Sequence, residues 1–336
     1  MAQPTAIFAA ITFQELHDFL PDQLIDSVRQ MSPVFTHYDT GTGSAAEFHR
    51  ALVATNPTVL IACWKTPALP DVLPSNLRYV CYLAGSVKRL IQRTHIEHGL
   101  LVSNWGGSIS RIVAEWAMFH TLSCLRRATY WTLAMHREGA WKDGGTETAS
   151  LFGRKVGVHG FGQVAREFIR LIQPFNCKVT AFAPDVDAET ERKFNLKASP
   201  SLDALFADND IVVELAPLNA HTVGIVTEKQ LRLLKPGSVF VNVGRGAVVD
   251  EDALLRVAQE GKIMIGLDVF TVEPLPADSG FRGLPNVTLT PHLAGPTTDR
   301  RRDAGAAAVS NLRAFCEDRP LATTSVVTLH AYDTST

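Results

Sequence analysis

The sequence lacks any apolar run that approaches the roughly 20 residues a membrane-spanning helix needs. Its first residues, MAQPTAIFAAITF, also lack a charged leader followed by a long apolar segment. They are therefore expected to form an early strand and not a signal peptide. No internal repeat or low-complexity segment is present in the sequence. These absences argue against a membrane partner and favour a globular, cytoplasmic protein.

Paired cysteines and a large charge excess are missing as well. The five cysteines are scattered and no CxxC pair occurs, which is typical of reduced thiols in a cytoplasmic protein. Lys and Arg number 32 against 34 Asp and Glu, so no dominant basic surface is expected for nucleic acid. No cluster of ligand types has the spacing of a metal site. We therefore expect neither a nucleic-acid partner nor a bound metal.

The sequence does contain enough apolar residues, 46% of 336, to bury the cores of two domains. In its first hundred residues, TVLIACW (58–64) and LRYVCYLAG (77–85) are typical of buried strands. IVAEWAMFHTLSCLRRATYWTLAMHR (112–137) is apolar at helical spacing and holds no Gly or Pro, which predicts one long helix. The tail, residues 297–320, predicts a final helix that returns to the first domain.

Strand-like segments then recur at regular intervals, most of them separated by helical segments. They are RKVGVHG (154–160), KVTAFA (178–183), DIVVELAP (210–217), SVFVNVG (238–244), MIGLDVF (264–270) and NVTLTPH (286–292). This alternation predicts parallel strands joined by crossover helices, that is, an α/β fold with a doubly wound sheet.

GVHGFGQVAR (157–166) is the segment most suggestive of a ligand. Gly160 and Gly162 would form the turn after a strand and let the backbone approach a pyrophosphate, while Ala165 takes the third glycine position. The following helix would point its N-terminal N–H groups at the phosphates. The order of strand, glycine turn and helix predicts a dinucleotide site, and a βα turn without a ligand is the alternative.

The end of the next strand bears on which dinucleotide binds. An NAD site usually has an acidic residue at this strand tip, but the tip here is Ala183 and Asp185 follows two residues later. No basic residue occurs in 182–188 to receive a 2′-phosphate. The negative loop favours NAD, although NADP stays open.

Three later strand ends carry reactive side chains: Arg245 in NVGRG, Glu273 in LDVFTVEPLP and His292 in LTPHLAG. Ligands of open α/β sheets bind at the carboxyl ends of strands, so all three are expected on the cofactor side. A guanidinium suits a carboxylate and a carbonyl oxygen, imidazole can give or take a proton near neutral pH, and a carboxylate orients imidazole. This set predicts reduction of a 2-oxo acid by a hydride donor.

VGVHGFGQVA, VNVGRGAVVDEDAL, LDVFTVEPLP and LPNVTLTPHLAG, in that order, resemble the D-specific 2-hydroxyacid dehydrogenase family over roughly residues 75–325. The resemblance implies Arg245, Glu273 and His292 as the catalytic residues. It implies that backbone N–H groups of LAGSV (83–87), at Ala84, Gly85 and Ser86, hold the substrate carboxylate together with Arg245. It also implies Asp268 beside the nicotinamide and residues 210–222 as a cofactor wall. The expected cofactor-binding residues are Gly160, Gly162, Gln163, Val164, Ala183, Asp185, Ala216, Pro217, Thr222, Val243, Gly244, Asp268 and Gly295.

The family resemblance further implies a Rossmann dinucleotide-binding domain over 112–299. A flavodoxin-like substrate-binding domain would be built from 1–111 and 300–336, and the protein would be a homodimer. The implied activity is hydride transfer between NAD(P)H and a small 2-oxo acid of the glyoxylate or hydroxypyruvate kind. An NAD(H)-sensing binding protein or corepressor with residual activity is the alternative. His159, where the family usually has an aliphatic residue, is expected to be buried and hydrogen-bonded.

Overall fold

The computed structural model describes residues 6–142 and 147–334, so residues 1–5 of the N-terminal segment expected to form a strand lie outside the described ranges. The chain divides into two compact units. Unit 1 comprises Met1–Ile109 and Pro296–Thr336, and unit 2 comprises Ser110–Gly295. No helix within the described ranges is both long enough and apolar enough to cross a membrane.

The strands of the described residues are short, with three to five residues each, and five of the twelve are buried along their whole length. These twelve strands are β1 Ile7–Ala10, β2 Phe35–Tyr38, β3 Val59–Ala62, β4 Tyr79–Tyr82, β5 Leu101–Ser103, β6 Lys155–His159, β7 Lys178–Phe182, β8 Leu196–Ala198, β9 Ile211–Glu214, β10 Val239–Asn242, β11 Met264–Leu267 and β12 Val287–Leu289.

Helices connect most of these strands. They are α1 Phe13–Phe19, α2 Asp22–Arg29, α3 Ala45–Thr55, α4 Arg93–Glu97, α5 Ser110–Leu125, α6 Ala128–Glu138, α7 Gln163–Ile172, α8 Ala188–Phe194, α9 Leu202–Asp208, α10 Glu228–Leu233, α11 Glu251–Gln259, α12 Arg301–Cys316 and α13 Leu329–Thr334.

Unit 1 is a five-stranded parallel sheet in the order β2-β1-β3-β4-β5. This order is that of flavodoxin-like folds. The late helix α12 packs against α1, α2 and β4 of this unit. Its Arg301 forms an ion pair with Asp18 of α1, whose side chain is buried. The chain end is thus held to unit 1 by apolar packing and by a paired buried charge.

Unit 2 is a seven-stranded parallel sheet in the order β12-β11-β10-β9-β6-β7-β8. The order reverses between β6 and β9, which makes the carboxyl ends of these two strands the switch point where dinucleotides bind in such folds. The described residues of unit 2 form two apolar cores. One includes buried residues of α5 and α7, and the other includes buried residues of α9 and α11. The predicted fold class, two doubly wound parallel sheets, is confirmed.

Each of the eight strand segments predicted from residue 58 onward contains a strand, and the early strand predicted near the N-terminus is β1. Helix starts follow local capping chemistry: Thr12 with Glu15 and Ser44 with Glu47 form capping boxes, and Asp250 accepts a hydrogen bond from the Ala253 N–H at the start of α11. Asp250 therefore caps a helix, and it lies next to the loop that carries Arg245.

The prediction of one helix over 112–137 is wrong, because the segment forms two helices, α5 and α6. Arg127 adopts the left-handed conformation, with φ of 53°, between them. The N–H of Ala149, from the segment that follows α6, donates to the Leu125 carbonyl that would otherwise continue the helix. The guanidinium of Arg127 packs over the Tyr130 ring. The break arises from the tertiary hydrogen bond of Ala149 to Leu125, since the sequence holds no Gly or Pro to mark it.

Candidate active site

The glycine turn lies at the carboxyl end of β6. Gly160 has a φ of 87°, and a Cβ there would lie 2.7 Å from the Ala216 backbone, so no other residue fits without a shift. Gly162 begins α7 as its N-cap and supplies no side-chain hydrogen bond. A Cβ at Gly162 would meet no heavy atom within 4 Å. The first-turn N–H groups of α7, including those of Gln163 and Val164, are thus presented as an anion-binding helix start.

The end of β7 holds the residues expected near the adenosine ribose. Ala183 is half-buried and packs against the core of unit 2, while Asp185 is exposed. Arg166, from the first turn of α7, places Nη2 3.7 Å from the Asp185 carboxylate. Its guanidinium also lies 4.8 Å from the centre of the Phe161 ring. Arg166 was not predicted from the sequence, although its position four residues after Gly162 could have indicated a side chain in the first turn of α7.

The residues expected as the cofactor wall follow β9. Ala216 is buried and donates its N–H to Glu214 Oε1 at 2.8 Å. Thr222 donates its hydroxyl to the Pro217 carbonyl at 2.5 Å and accepts from the Asn219 N–H at 2.8 Å. These bonds close residues 217–222 into a defined loop at the switch point of the sheet.

His159 and Glu214 form a buried pair directly beneath this turn and wall. They are opposite each other on β6 and β9, and His159 Nδ1 lies 2.5 Å from Glu214 Oε2. Burial alone would lower the pKa of His159, but the charge and hydrogen bond of the Glu214 carboxylate outweigh it and raise that pKa. The expectation of a buried, hydrogen-bonded His159 is confirmed, and its partner Glu214 is new.

His292 and Glu273 are brought together at the edge of the unit 2 sheet formed by β11 and β12. His292 Nδ1 lies 2.7 Å from Glu273 Oε2, and Glu273 Oε1 accepts from the Phe270 N–H at 3.0 Å. The carboxylate is therefore fixed on one side by the backbone and holds the ring on the other. Since Nδ1 is occupied by Glu273, Nε2 is the ring nitrogen left for a reacting oxygen.

His292 sits in the left-handed region, with φ of 55°, and Asp268 holds the chain there. The Asp268 carbonyl accepts from the His292 N–H at 2.8 Å. Its fully buried carboxylate accepts from the Leu293 and Ala294 N–H groups, both at 2.8 Å, and from the Thr290 hydroxyl at 2.6 Å. Asp268 therefore anchors the residues on both sides of the imidazole.

Behind Asp268 lies a further buried histidine, His120 of α5. Its Nε2 is 2.8 Å from Thr290 Oγ1, and its Nδ1 is buried with no hydrogen-bond partner. Burial lowers the pKa of His120 to about 4, against the opposing effect of Asp268, so the ring is neutral. Because the Thr290 hydroxyl donates to Asp268, it must accept from His120 Nε2–H. Neither His120 nor Thr290 was predicted from the sequence, because the two lie far apart in the chain.

Arg245 follows β10 and is half-buried. Burial lowers the pKa of Arg245, and the charge of the Glu273 carboxylate offsets part of that effect. Its Nη1 donates to the Gly244 carbonyl at 2.7 Å. The next residue, Gly246, has no room for a side chain, since a Cβ would lie 2.1 Å from the Phe270 carbonyl carbon. The loop that carries Arg245 is thus packed tightly against the strand end near Glu273.

The other expected cofactor residues differ in exposure. Val243 is buried in the core, and a Cβ at Gly244 would approach the Glu214 carbonyl oxygen to 3.2 Å. A Cβ at Gly295 would meet nothing within 4 Å.

Unit 2 also holds a mainly apolar cavity of about 580 Å³ beside the imidazole of His292. It is lined by Phe270, Glu273, Pro274, Leu275, Arg282, Leu289, Thr290, Pro291 and His292.

The expected substrate loop lies in unit 1, after β4. Ala84 is buried, whereas Gly85 and Ser86 are half-buried. The Ala84 carbonyl accepts from the Trp105 N–H at 3.1 Å and the Gly85 carbonyl accepts from Asn104 Nδ2 at 2.8 Å. Both carbonyls are therefore turned toward the loop after β5.

Comparison with known proteins identifies the family. A model described as D-isomer specific 2-hydroxyacid dehydrogenase, NAD binding domain, matches residues 118–294, more than half of the chain. The chain belongs to this family. The resemblance noted in the sequence is confirmed, and the dehydrogenase is an oxidoreductase that transfers a hydride between NAD(P)H and a 2-oxo acid or its D-2-hydroxy acid.

Named relatives of the dehydrogenase act on different acids. It is 30% identical to hydroxypyruvate reductase of Thermotoga maritima over 260 residues, 76% of this chain and 83% of the relative. It is 29% identical to 4-methyl-2-oxopentanoate reductase A of Aspergillus oryzae over 252 residues, 73% and 74% of the two chains. D-mandelate dehydrogenase of Rhodotorula graminis shares the fold, with a TM-score of 0.83, 23% identity and coverage of 95% and 96%.

The His159–Glu214 pair predicts a pH dependence of stability. Because the pKa of His159 is raised from 6.5, the pair stabilises the folded dehydrogenase fully below that pH, and this contribution is lost as pH rises through the folded pKa. At about pH 6, His159→Gln should lower the free energy of unfolding by about 1–3 kcal/mol, and this difference should shrink by about pH 9. Urea unfolding at a series of pH values measures it.

The exposed His221 offers a matched control, and His221→Gln should leave the stability profile unchanged. A stability difference between wild type and His159→Gln that stays constant across the pH range would contradict a charged His159.

Proposed function

We propose that the 2-oxo acids this dehydrogenase reduces include small ones of the glyoxylate and hydroxypyruvate kind, and that Arg245, Glu273 and His292 are its catalytic residues. The observation that carries the proposal is the His292 Nδ1–Glu273 bond of 2.7 Å, which leaves Nε2 to protonate a substrate oxygen. The Asp268 contacts to both neighbours of His292 keep that nitrogen in a defined position.

The chemistry divides among the proposed residues. When bound, the nicotinamide supplies the hydride. Arg245, with a planar guanidinium, binds the carboxylate and the carbonyl oxygen of the acid and stabilises the negative charge that develops on that oxygen. His292 gives its Nε2 proton to the oxygen, and Glu273 stabilises the imidazolium before the transfer. In the reverse direction the same nitrogen accepts the proton.

The two units support the assignment of cofactor binding and substrate binding to different parts of the chain. We assign dinucleotide binding to residues 112–299, which contain the glycine turn, the wall after β9 and Asp268. We assign substrate binding to 1–111 and 300–336, where the backbone of Ala84, Gly85 and Ser86 would hold the substrate carboxylate. The residues of unit 2 fit a dinucleotide because Gly162 leaves open space at a helix start and Gly160 allows the close turn.

The direct test is loss of reduced nicotinamide absorbance on mixing the purified protein with glyoxylate or hydroxypyruvate, each with NADH and with NADPH. Turnover supports the proposal. Tight nicotinamide binding without turnover of these acids or of larger 2-oxo acids would contradict it and favour a sensing role.

We further propose that NAD is preferred to NADP. The support is Asp185, whose carboxylate both repels a 2′-phosphate and engages Arg166, the nearby cation. Asp185→Ser is therefore expected to raise kcat/KM with NADPH about tenfold, because it removes the repulsion and releases Arg166 for the phosphate. Kinetics with both cofactors measure the ratio.

The double variant Asp185→Ser with Arg166→Gln serves as the control, and it should lose the gain with NADPH. Wild-type turnover that is faster with NADPH than with NADH would contradict the preference.

We also propose a homodimer in the cytoplasm. Unit 2 exposes large apolar side chains on and after α5 and α6, at Phe119, Met135, Trp141 and Phe152, and such exposure is typical of surfaces that associate. All five cysteines are free thiols, as in a reducing compartment. Sedimentation velocity tests the dimer, and a single species of the 36.7 kDa chain mass would contradict it.

A further inference from the structure

Two tryptophans flank the substrate loop of unit 1. β3, β4 and β5 are neighbouring parallel strands, so the segments that follow them emerge at one edge of the sheet. The segment after β4 carries Gly85, Trp64 follows β3 and Trp105 follows β5. The centroids of the two indoles are 6.2 Å apart at an interplanar angle of 80°, an edge-to-face contact.

Trp105 packs directly onto the loop. A Cβ at Gly85 would lie 2.8 Å from Trp105 Cζ2 and 3.0 Å from Cε2, so the indole takes the space that a side chain would need. Gly85 has an ordinary backbone conformation. The indole ring of Trp105 excludes a larger residue at position 85. The backbone proposed to hold the substrate carboxylate is therefore bordered by an aromatic surface.

Trp64 is held in place yet stays accessible. Its ring makes an edge-to-face contact with Phe19, with centroids 5.2 Å apart, and the Arg301 guanidinium lies 5.3 Å from its centre. Even so, 44% of Trp64 is exposed. A large aromatic fixed by its neighbours and open to solvent is preorganised to bind an apolar group.

The nearby cation does not make this edge a second anion site. Arg301 is paired with the buried carboxylate of Asp18. Burial would raise the pKa of Asp18, but hydrogen bonds from Arg301, His17 and Gln14 lower it. The charge of Arg301 is thus balanced within the protein, and the surface offered beside Gly85 is aromatic.

We infer that Trp64 and Trp105 form the subsite for the C2 substituent of the substrate, so the dehydrogenase prefers 2-oxo acids with a bulky apolar or aromatic substituent to glyoxylate. The inference rests on the proposed function, because it takes residues 84–86 as the carboxylate site. The substituent of a 2-oxo acid begins two bonds from its carboxylate carbon. It therefore lies within contact distance of whatever borders the groups that hold the carboxylate.

The test compares kcat/KM for phenylpyruvate and for glyoxylate with NADH. We expect wild type to favour phenylpyruvate at least about tenfold, as for other apolar pockets. Trp64→Ala should lower kcat/KM for phenylpyruvate about 10- to 100-fold and change that for glyoxylate by less than about threefold, since glyoxylate has no substituent to contact Trp64. Trp64→Phe, which keeps an aromatic ring, should restore most of the preference.

Val72→Ala is the matched control, because Val72 is an apolar residue on the same β3–β4 connection and is 84% exposed. It should leave both substrates unaffected. If Trp64→Ala does not fold, Trp64→Gln also removes the indole ring but keeps a longer side chain at this position.

Several outcomes would overturn the inference. Glyoxylate turnover that equals or exceeds phenylpyruvate turnover in wild type would overturn it while leaving the proposed function in place. Equal losses for both acids in Trp64→Ala would do the same, because they would indicate a purely structural tryptophan. No NADH oxidation with either acid, or with hydroxypyruvate, would overturn the proposed function and this inference with it.

Discussion

Replacing His292 with asparagine is expected to lower kcat by about 100- to 10,000-fold, the range of general acid catalysis. The substitution removes the ring whose Nδ1 is bound by Glu273 and whose Nε2 is proposed to protonate the substrate oxygen. Asparagine is chosen because it tolerates the left-handed backbone that His292 adopts, so the loop need not rearrange. Stopped-flow or steady-state kinetics at saturating substrate measure the loss.

NADH binding should survive in His292→Asn, because the glycine turn and the wall after β9 are unchanged. Fluorescence titration with NADH checks this. His98→Asn, at an exposed histidine in unit 1, is the control and should retain full turnover. Near-normal kcat in His292→Asn with intact folding would remove His292 from the proposed mechanism.

Replacing Asp268 with alanine is expected to lower the free energy of unfolding of the protein by about 3–5 kcal/mol and to reduce kcat as well. The carboxylate is fully buried and accepts hydrogen bonds from the Thr290 hydroxyl and from the Leu293 and Ala294 N–H groups. Alanine leaves these donors without an acceptor inside the protein, and each unsatisfied group costs about 1–3 kcal/mol.

The loss of activity expected for Asp268→Ala has a conformational cause. A non-glycine residue in the left-handed region costs about 1–2 kcal/mol and persists only where its surroundings hold it. With the two N–H anchors gone, the chain at His292 can relax and move Nε2. Urea unfolding and kinetics of Asp268→Ala and Asp268→Asn test this, and the amide, which keeps one oxygen, should lose less of both.

Asp278→Ala, at an exposed aspartate in the same unit, should change neither quantity. If Asp268→Ala unfolds at the wild-type urea concentration, the hydrogen bonds to its carboxylate do not determine the stability of this loop.

His120 and Thr290 show why sequence patterns missed part of the site. The two residues are 170 positions apart, and their hydrogen bond exists because α5 packs across the sheet beside β11 and β12. A single buried histidine on an apolar helix has no local pattern that distinguishes it. His159 was expected to be buried and hydrogen-bonded, but its partner Glu214 could not be predicted, because the two are 55 residues apart and meet only through strand pairing.

Sequence patterns were sufficient to predict the parallel α/β fold, the glycine turn and the placement of Arg245, Glu273 and His292 after strands. These features are local: apolar runs form buried strands, Gly160 is needed for its backbone conformation, and parallel strands put their carboxyl ends on one side of each sheet. Their chemical type and spacing can therefore be read along the chain.

Four other features have no such local signal: the break at Arg127, the approach of Arg166 to Asp185, the anchoring of His292 by Asp268 and the contact of Trp64 with Trp105. Each depends on which distant segments pack together, and packing is set by the whole sheet order and not by neighbours in sequence. The physical reason is that hydrogen bonds, ion pairs and aromatic contacts act over a few ångströms in space, whereas sequence patterns describe only separation along the chain.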